Sequence, residues 1–329
     1  MLIEMAKRPR RNRATASIRS LVRETRLTVH DFVVPLFLLP GANRKKGVEG
    51  MPYICGMTLD LLLKEAEALH KSGVAGIGIF PYIPPSLKTP EGEEAGNPKG
   101  PVPTAIATIK RELPALCVIA DIALDPYTSH GHDGILSDTC YVDNDKTLEA
   151  LAIQSIVCAR AGADLLAPSD MMDGRVGYIR KTLDREGFTQ TGILSYCVKY
   201  ASSLYAPFRG AIGASPLTRD GDKMTYQMDP ANVREAVKEA LSDEEEGADM
   251  LMIKPALPYL DIISEVKKRT SLPIGAYHVS GEYGMVMAAH ERGWLDAQKV
   301  FYELLTGIKR AGAGFIFTYS LNQVLDLIN

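Results

Sequence analysis

Eight short, almost wholly apolar runs, each separated from the next by a polar or amphipathic stretch, set the limits on how this chain can fold. They cover residues 33–38, 75–80, 116–122, 164–167, 193–198, 249–253, 273–279 and 315–319. Runs without polar alternation suit parallel strands covered on both faces. Between them, apolar residues recur at helical spacing over 58–71, 104–112, 146–160, 175–184, 230–246, 260–269 and 295–310, with a short helix at 284–291. Asp229 and Pro230 read as the N-cap and first residue of the 230–246 helix. This order predicts an α/β protein, a closed (β/α)8 TIM barrel over residues 31–329, preceded by an N-terminal arm over 1–30.

An open, doubly wound sheet is the competing architecture. It would place a glycine-rich turn after the first strand, where this chain has Leu39-Pro40-Gly41-Ala42-Asn43-Arg44. Gly73, Gly76 and Gly78 enter a strand instead of leaving one. No internal repeat suggests a second domain.

A net charge of −3 gives no general affinity for nucleic acid or for an acidic membrane, and apolar runs such as 248–253 are too short to span one. The five cysteines (Cys55, Cys117, Cys140, Cys158, Cys197) form no CxxC pair, which suits a reducing compartment. The basic stretch from Lys7 to Arg13 is followed by no apolar signal core, so a cytoplasmic protein is expected. That stretch is too short to carry a nucleic-acid reading far.

Two lysines stand out. Lys199 ends the fifth apolar run and Lys254 the sixth, beneath the long polar segments 121–145 and 199–229. Active sites of barrels are built at these strand ends. Adjacent strands lie ~4.8 Å apart, so two inward-facing ammonium groups there would nearly touch. Burial and a like charge both depress a lysine pKa, and a neutral amine attacks a ketone to give an imine, an electron sink. A single strand-end lysine more often snorkels to a polar rim. Two on neighbouring strands under long loops favour imine chemistry of the class I aldolase type.

The flanking residues sharpen this reading. Ser195-Tyr196-Cys197-Val198-Lys199-Tyr200-Ala201-Ser202 and Met252-Ile253-Lys254-Pro255 closely resemble the two lysine segments of the porphobilinogen synthase (5-aminolevulinate dehydratase) family. So do Ala167-Pro168-Ser169-Asp170-Met171-Met172-Asp173-Gly174 and Val279-Ser280-Gly281-Glu282-Tyr283, and the resemblance runs from Arg13 to the C-terminus. It implies a lyase of haem and tetrapyrrole biosynthesis that joins two 5-aminolevulinate molecules through Schiff bases. It also implies that Lys254 holds the substrate that becomes the propionate side and Lys199 the one that becomes the acetate side. Ser280 and Tyr319 would bind the carboxylate of the first. Arg209 and Lys223, with Gln227 nearby, would bind that of the second, Arg219 competing with Lys223 for the role. Ala256 stands where relatives usually have glycine.

Many family members carry three zinc-binding cysteines where this chain has Ala123, Asp125 and Asp133. Oxygen donors suit magnesium or a monovalent cation, so the chain looks like the aspartate-rich, non-zinc branch, and catalytic zinc is not expected. Asp121, Asp125 and Asp133 would contact the substrate amino group or a weakly held cation, with Ser169 among the substrate-binding residues. His130 and His132 read better as loop-stabilising hydrogen bonders than as zinc ligands. By resemblance Glu239 would hold an allosteric magnesium, and the arm would wrap a neighbouring subunit in a homo-octamer. The rivals are another lysine-imine aldolase and an RNA-binding module that uses the basic arm; the second gives two buried lysines no purpose.

Overall fold

A computed structural model describes residues 6–214 and 222–328. Eight parallel strands close into a barrel: β1 (Phe32–Leu39), β4 (Gly76–Pro81), β5 (Cys117–Ile122), β6 (Leu165–Pro168), β7 (Gly192–Lys199), β8 (Met250–Lys254), β9 (Ile274–Tyr277) and β10 (Phe315–Phe317). Closure comes from β10 pairing with β1, Phe32 opposite Ile316 and Val33 opposite Phe317. The strands are buried almost throughout, β4 at every position. That is why they read as continuous apolar runs. The helices outside bury single stripes, as Leu62, Ala66 and Leu69 do in the helix Leu59–Lys71.

Two strands escape the sequence pattern. β2 (Lys45–Val48) and β3 (Met51–Thr58) form an antiparallel hairpin, and β3 pairs with the last three residues of β1. The hairpin thus extends the wall at the C-terminal rim, beyond the short β10. Gly50 at its turn has φ +75°, a conformation that favours glycine.

Other boundaries move for physical reasons. Asp164 and Asp249 lie just outside β6 and β8, and their carboxylates accept the backbone N–H groups of Val118 and Ile193, each at 2.7 Å. They pin the starts of strands, at the end of the barrel away from the lysines. The 230–246 helix begins later than expected, at Arg234. Asp229 is not its N-cap, because its Oδ1 accepts from Ala231 N and closes a local turn. The helix expected at 284–291 starts at Ser280 (Ser280–Glu291), so Ser280 stands on its first turn. A C-terminal helix, Leu321–Ile328, follows β10.

Ahead of β1, the short helix Ala16–Leu21 buries none of its residues, and Leu21 is 85% exposed.

Candidate active site

The register brings the two lysines together: Lys199 of β7 is the cross-strand partner of Lys254 of β8. Both are buried, each with 6% of its surface exposed. What surrounds them differs.

Lys254 Nζ lies among aromatic faces, 4.6 Å from the ring centre of Tyr277, 5.0 Å from those of Tyr205 and Phe208, and 5.3 Å from that of Tyr196. Burial, then the neighbouring Lys199 charge, pulls its pKa down to about 7, although nearby aspartates oppose the shift. Tyr319 borders this enclosure, its hydroxyl 3.0 Å from that of Tyr277 and its ring stacked on Phe37. Ser280 is close by, accepting from Phe208 N at 3.1 Å and donating to Leu204 O at 3.2 Å. Gly281 permits that approach, since a Cβ there would sit 2.6 Å from Leu204 O. Glu282 accepts from Leu257 N at 2.6 Å and Val279 N at 2.5 Å, tying the turn after Lys254 to the helix that carries Ser280. Burial pushes its carboxyl up to about 8.

Lys199 sits among ions. Its Nζ donates to Asp133 Oδ2 at 2.9 Å and to the carbonyl of Ser169. Asp133 is the hub: Lys223 donates to its other oxygen at 2.5 Å and Gln227 reaches it at 3.4 Å. Burial opposes the Asp133 charge, yet the Lys199 and Lys223 ammonium groups overcome it and hold the carboxyl below its ordinary range. Lys223 also reaches Asp125 at 3.3 Å. Burial works against its charge as well, but Asp125 and Asp133 keep its pKa raised. Asp121, at the end of β5, is pushed up to about 7 by burial and by Asp125, against both lysines and a hydrogen bond with Ser169.

Eleven of the twelve site residues expected from sequence therefore gather at one end of the barrel, on strand ends or in the loops above them. Arg209 is half-buried on the short helix Ala206–Ala211, next to Phe208, and Lys223 feels its charge. Arg219 lies outside the described residues. Glu239 stands apart from the lysines. It lines a cavity of about 210 Å³ with Asp173, Glu235 and Asn144. His130 and His132 are engaged with Pro90 O and Tyr226 Oη, at 2.9 and 3.1 Å. Among the described residues no group of three or more acidic, histidine or cysteine side chains is arranged to hold a metal.

The aromatic enclosure was missed. Tyr196 and Tyr277 carry a weak signal, a phenol in an otherwise apolar strand, but nothing local says that four rings from three segments meet over one amine.

The family model for delta-aminolevulinic acid dehydratase matches residues 6–327. The chain is 48% identical over 327 residues to a delta-aminolevulinic acid dehydratase of Chlamydia pneumoniae, covering 99% of this chain and 98% of that one. It is 47% identical over 317 residues to that of Bradyrhizobium diazoefficiens, covering 96% and 89%. Its structure is similar, with a TM-score of 0.95 and 43% identity, to the delta-aminolevulinic acid dehydratase (porphobilinogen synthase) of Toxoplasma gondii in complex with the reaction product porphobilinogen, covering 98% of this chain and 92% of that one.

Proposed function

The chain belongs to the delta-aminolevulinic acid dehydratase family, and from that premise we propose that Lys254 and Lys199 are the two amines through which it condenses 5-aminolevulinate into porphobilinogen. The activity is that of a lyase acting on a small molecule. The observation that carries the residue assignment is the pairing of two buried lysines across β7 and β8.

The lysines divide the work. With a pKa near 7, Lys254 is available as a neutral amine at neutral pH and attacks the ketone of the first substrate. Loss of water leaves an iminium whose charge lies among the four rings. Ser280 and Tyr319 receive that substrate's carboxylate, Ser280 exchanging its bonds to Phe208 N and Leu204 O for it. The second substrate meets Lys199. Its carboxylate is taken by Arg209 and Lys223, with Gln227, and Lys223 leaves Asp125 and Asp133 to reach it. Asp133 stays with Lys199 and orients its amine toward the second substrate. Asp121, with a pKa near the operating pH, is suited to moving a proton between the substrates, and Ser169 orients it. Asp125 and Asp133 face the substrate amino group. One carbon–carbon and one carbon–nitrogen bond form, water leaves, and a final deprotonation makes the ring aromatic.

For the metal we infer the aspartate-rich type. Ala123, Asp125 and Asp133 offer no thiolate, and the carboxylates present already hold lysines, so the donor set does not suit zinc. Glu239 suits a magnesium ion in an activating role: it is a half-buried carboxylate facing a cavity that Asn144, Asp173 and Glu235 also line, and burial raises its pKa. A bound cation there would supply charge neutralisation at the helix Arg234–Glu245. Full activity after removal of divalent metal, with no response to magnesium, would dispose of this assignment. The exposed apolar arm residues Leu21 and Val22 support an arm, residues 1–30, that packs on another subunit within an octamer. Five free cysteines support a cytoplasmic location.

The main test is borohydride reduction in the presence of 5-aminolevulinate, followed by peptide mapping. Label on Lys254 and Lys199 is expected; label on neither overturns the assignment.

A further inference from the structure

On the helix side of the barrel wall, behind the two lysines, lies a buried guanidinium that the mechanism above does not use. Arg175, the first residue of the helix Arg175–Arg185, is 2% exposed. Its Nη2 donates to Asp243 Oδ2 at 3.0 Å, to Ser195 Oγ at 3.1 Å and to the carbonyl of Tyr196 at 3.1 Å. Its Nη1 donates to Met172 O at 3.2 Å and lies 3.4 Å from Asp243 Oδ1. Ser195 Oγ donates to Asp243 Oδ2 at 2.5 Å, which closes the cluster. Apolar packing would stabilise such a site at least as well, so a buried ion pair is better explained by the geometry it specifies.

That geometry is the register of the strands it grips. Ser195 of β7 pairs with Leu251 of β8, and an even count would then set Val198 opposite Lys254. Instead Val198 pairs with Ile253 and Lys199 with Lys254, because β7 holds one extra residue between Ser195 and Val198. In an unbroken strand, side chains two and four residues apart share a face. Lys199 would then point with Ser195, out toward Asp243. The extra residue re-aims it into the barrel. Ser195 and Tyr196, two of the residues that Arg175 holds, belong to this stretch.

A second link reaches Lys199 from the other side. Arg175 Nε lies 3.8 Å from Asp170 Oδ2, an ionic contact too long for a hydrogen bond, and among the described residues neither atom has a hydrogen-bond partner. Asp170 follows Ser169, whose carbonyl accepts from Lys199.

We propose that Arg175, Asp243 and Ser195 form a positioning cluster that clamps the bulge of β7 and thereby sets Lys199, and not Val198, beside Lys254. The inference rests on the two-lysine reading. It says which residues outside the pocket make that reading geometrically possible.

The test compares borohydride labelling at each lysine, kcat, KM and thermal stability for wild type, Ser195→Ala, Ser195→Thr and Asp243→Asn. Ser195→Ala leaves the Arg175–Asp243 pair intact, so it remains informative where Asp243→Asn fails to fold. In Ser195→Ala, label at Lys199 and kcat are expected to fall about tenfold or more, while label at Lys254 and KM stay within about threefold. Ser195→Thr, which restores the hydroxyl, is expected to recover most of the loss. A purely structural role would lower both labels together, in step with the folded fraction. That result, or unchanged labelling at both lysines, overturns the proposal. Absence of label at both lysines in the wild type would instead overturn the two-lysine reading.

Discussion

Lys199 and Lys254 face each other across one pair of strands, yet one sits among carboxylates and the other among rings. The Lys199 side is a network of full charges centred on Asp133, in which every ammonium has a carboxylate. The Lys254 side has no ion pair among the described residues, and its amine is faced by Tyr196, Tyr205, Phe208 and Tyr277. The contrast teaches that one residue type can be given two electrostatic characters by its surroundings, which is what the proposed division of labour uses. Exclusion of water without an ion-paired partner favours a neutral amine, whereas a carboxylate beside an ammonium stabilises its charge.

Removing either amine breaks the comparison outright. Lys254→Met is expected to lose turnover by about 10⁴-fold or more and to give no label at position 254. Lys199→Met should be as inactive but still trap one substrate on Lys254. A variant of either kind that makes porphobilinogen at the wild-type rate would end the division of labour. Asp133→Asn tests the charged side alone. It leaves Lys199 and Lys223 without their shared carboxylate and should cost about 10²–10³ in kcat, with label at Lys254 little changed.

The pH dependence should separate the two sides next. Lys254 must lose its proton to attack, so its labelling rate should fall about tenfold per pH unit below about 7 and level off above it. The same shift has a sign for stability. A lysine whose folded pKa is depressed from 10.5 to about 7 binds fewer protons folded than unfolded between those values, so its contribution to stability rises with pH across that window. Lys254→Met should therefore gain more in melting temperature over wild type at pH 6 than at pH 10. Equal gains would mean that Lys254 is not desolvated. The smallest effect is expected from Phe208→Leu, which keeps apolar volume and removes one ring face. A loss of about 0.5–2 kcal/mol in stabilising the Lys254 iminium, with Lys199 untouched, is the expected reading of single-site labelling.

How much of this was visible in the chain depended on how directly burial writes itself into residue type. The barrel was legible because strands covered on both faces must be apolar along their length, as β4 is. The hairpin was not, because exposed Lys45 and Lys46 and the half-covered residues of β3 carry no such run. The start of the helix Arg234–Glu245 was misplaced because an aspartate before a proline serves a turn as well as a cap, and here it closes the turn. The two lysines and the aspartates stood out as candidates through local segments that each carry their own pattern. The rings around Lys254 were not, since they come from β7, β9 and the segment just beyond β7 and share no spacing.

By itself the sequence determined the closed barrel and the strand ends that carry the two lysines, because covering both faces of a parallel sheet demands apolar runs and leaves polar residues only where they stop. Only the tertiary structure decided which residue of β7 stands opposite Lys254. An even strand count would have placed Val198 there. One extra residue, in the stretch that Arg175 and Asp243 hold from outside at Ser195 and Tyr196, puts Lys199 in its place. Alternation along a single strand cannot reveal such a shift, because register belongs to a pair of strands and to the side chains that hold them in step.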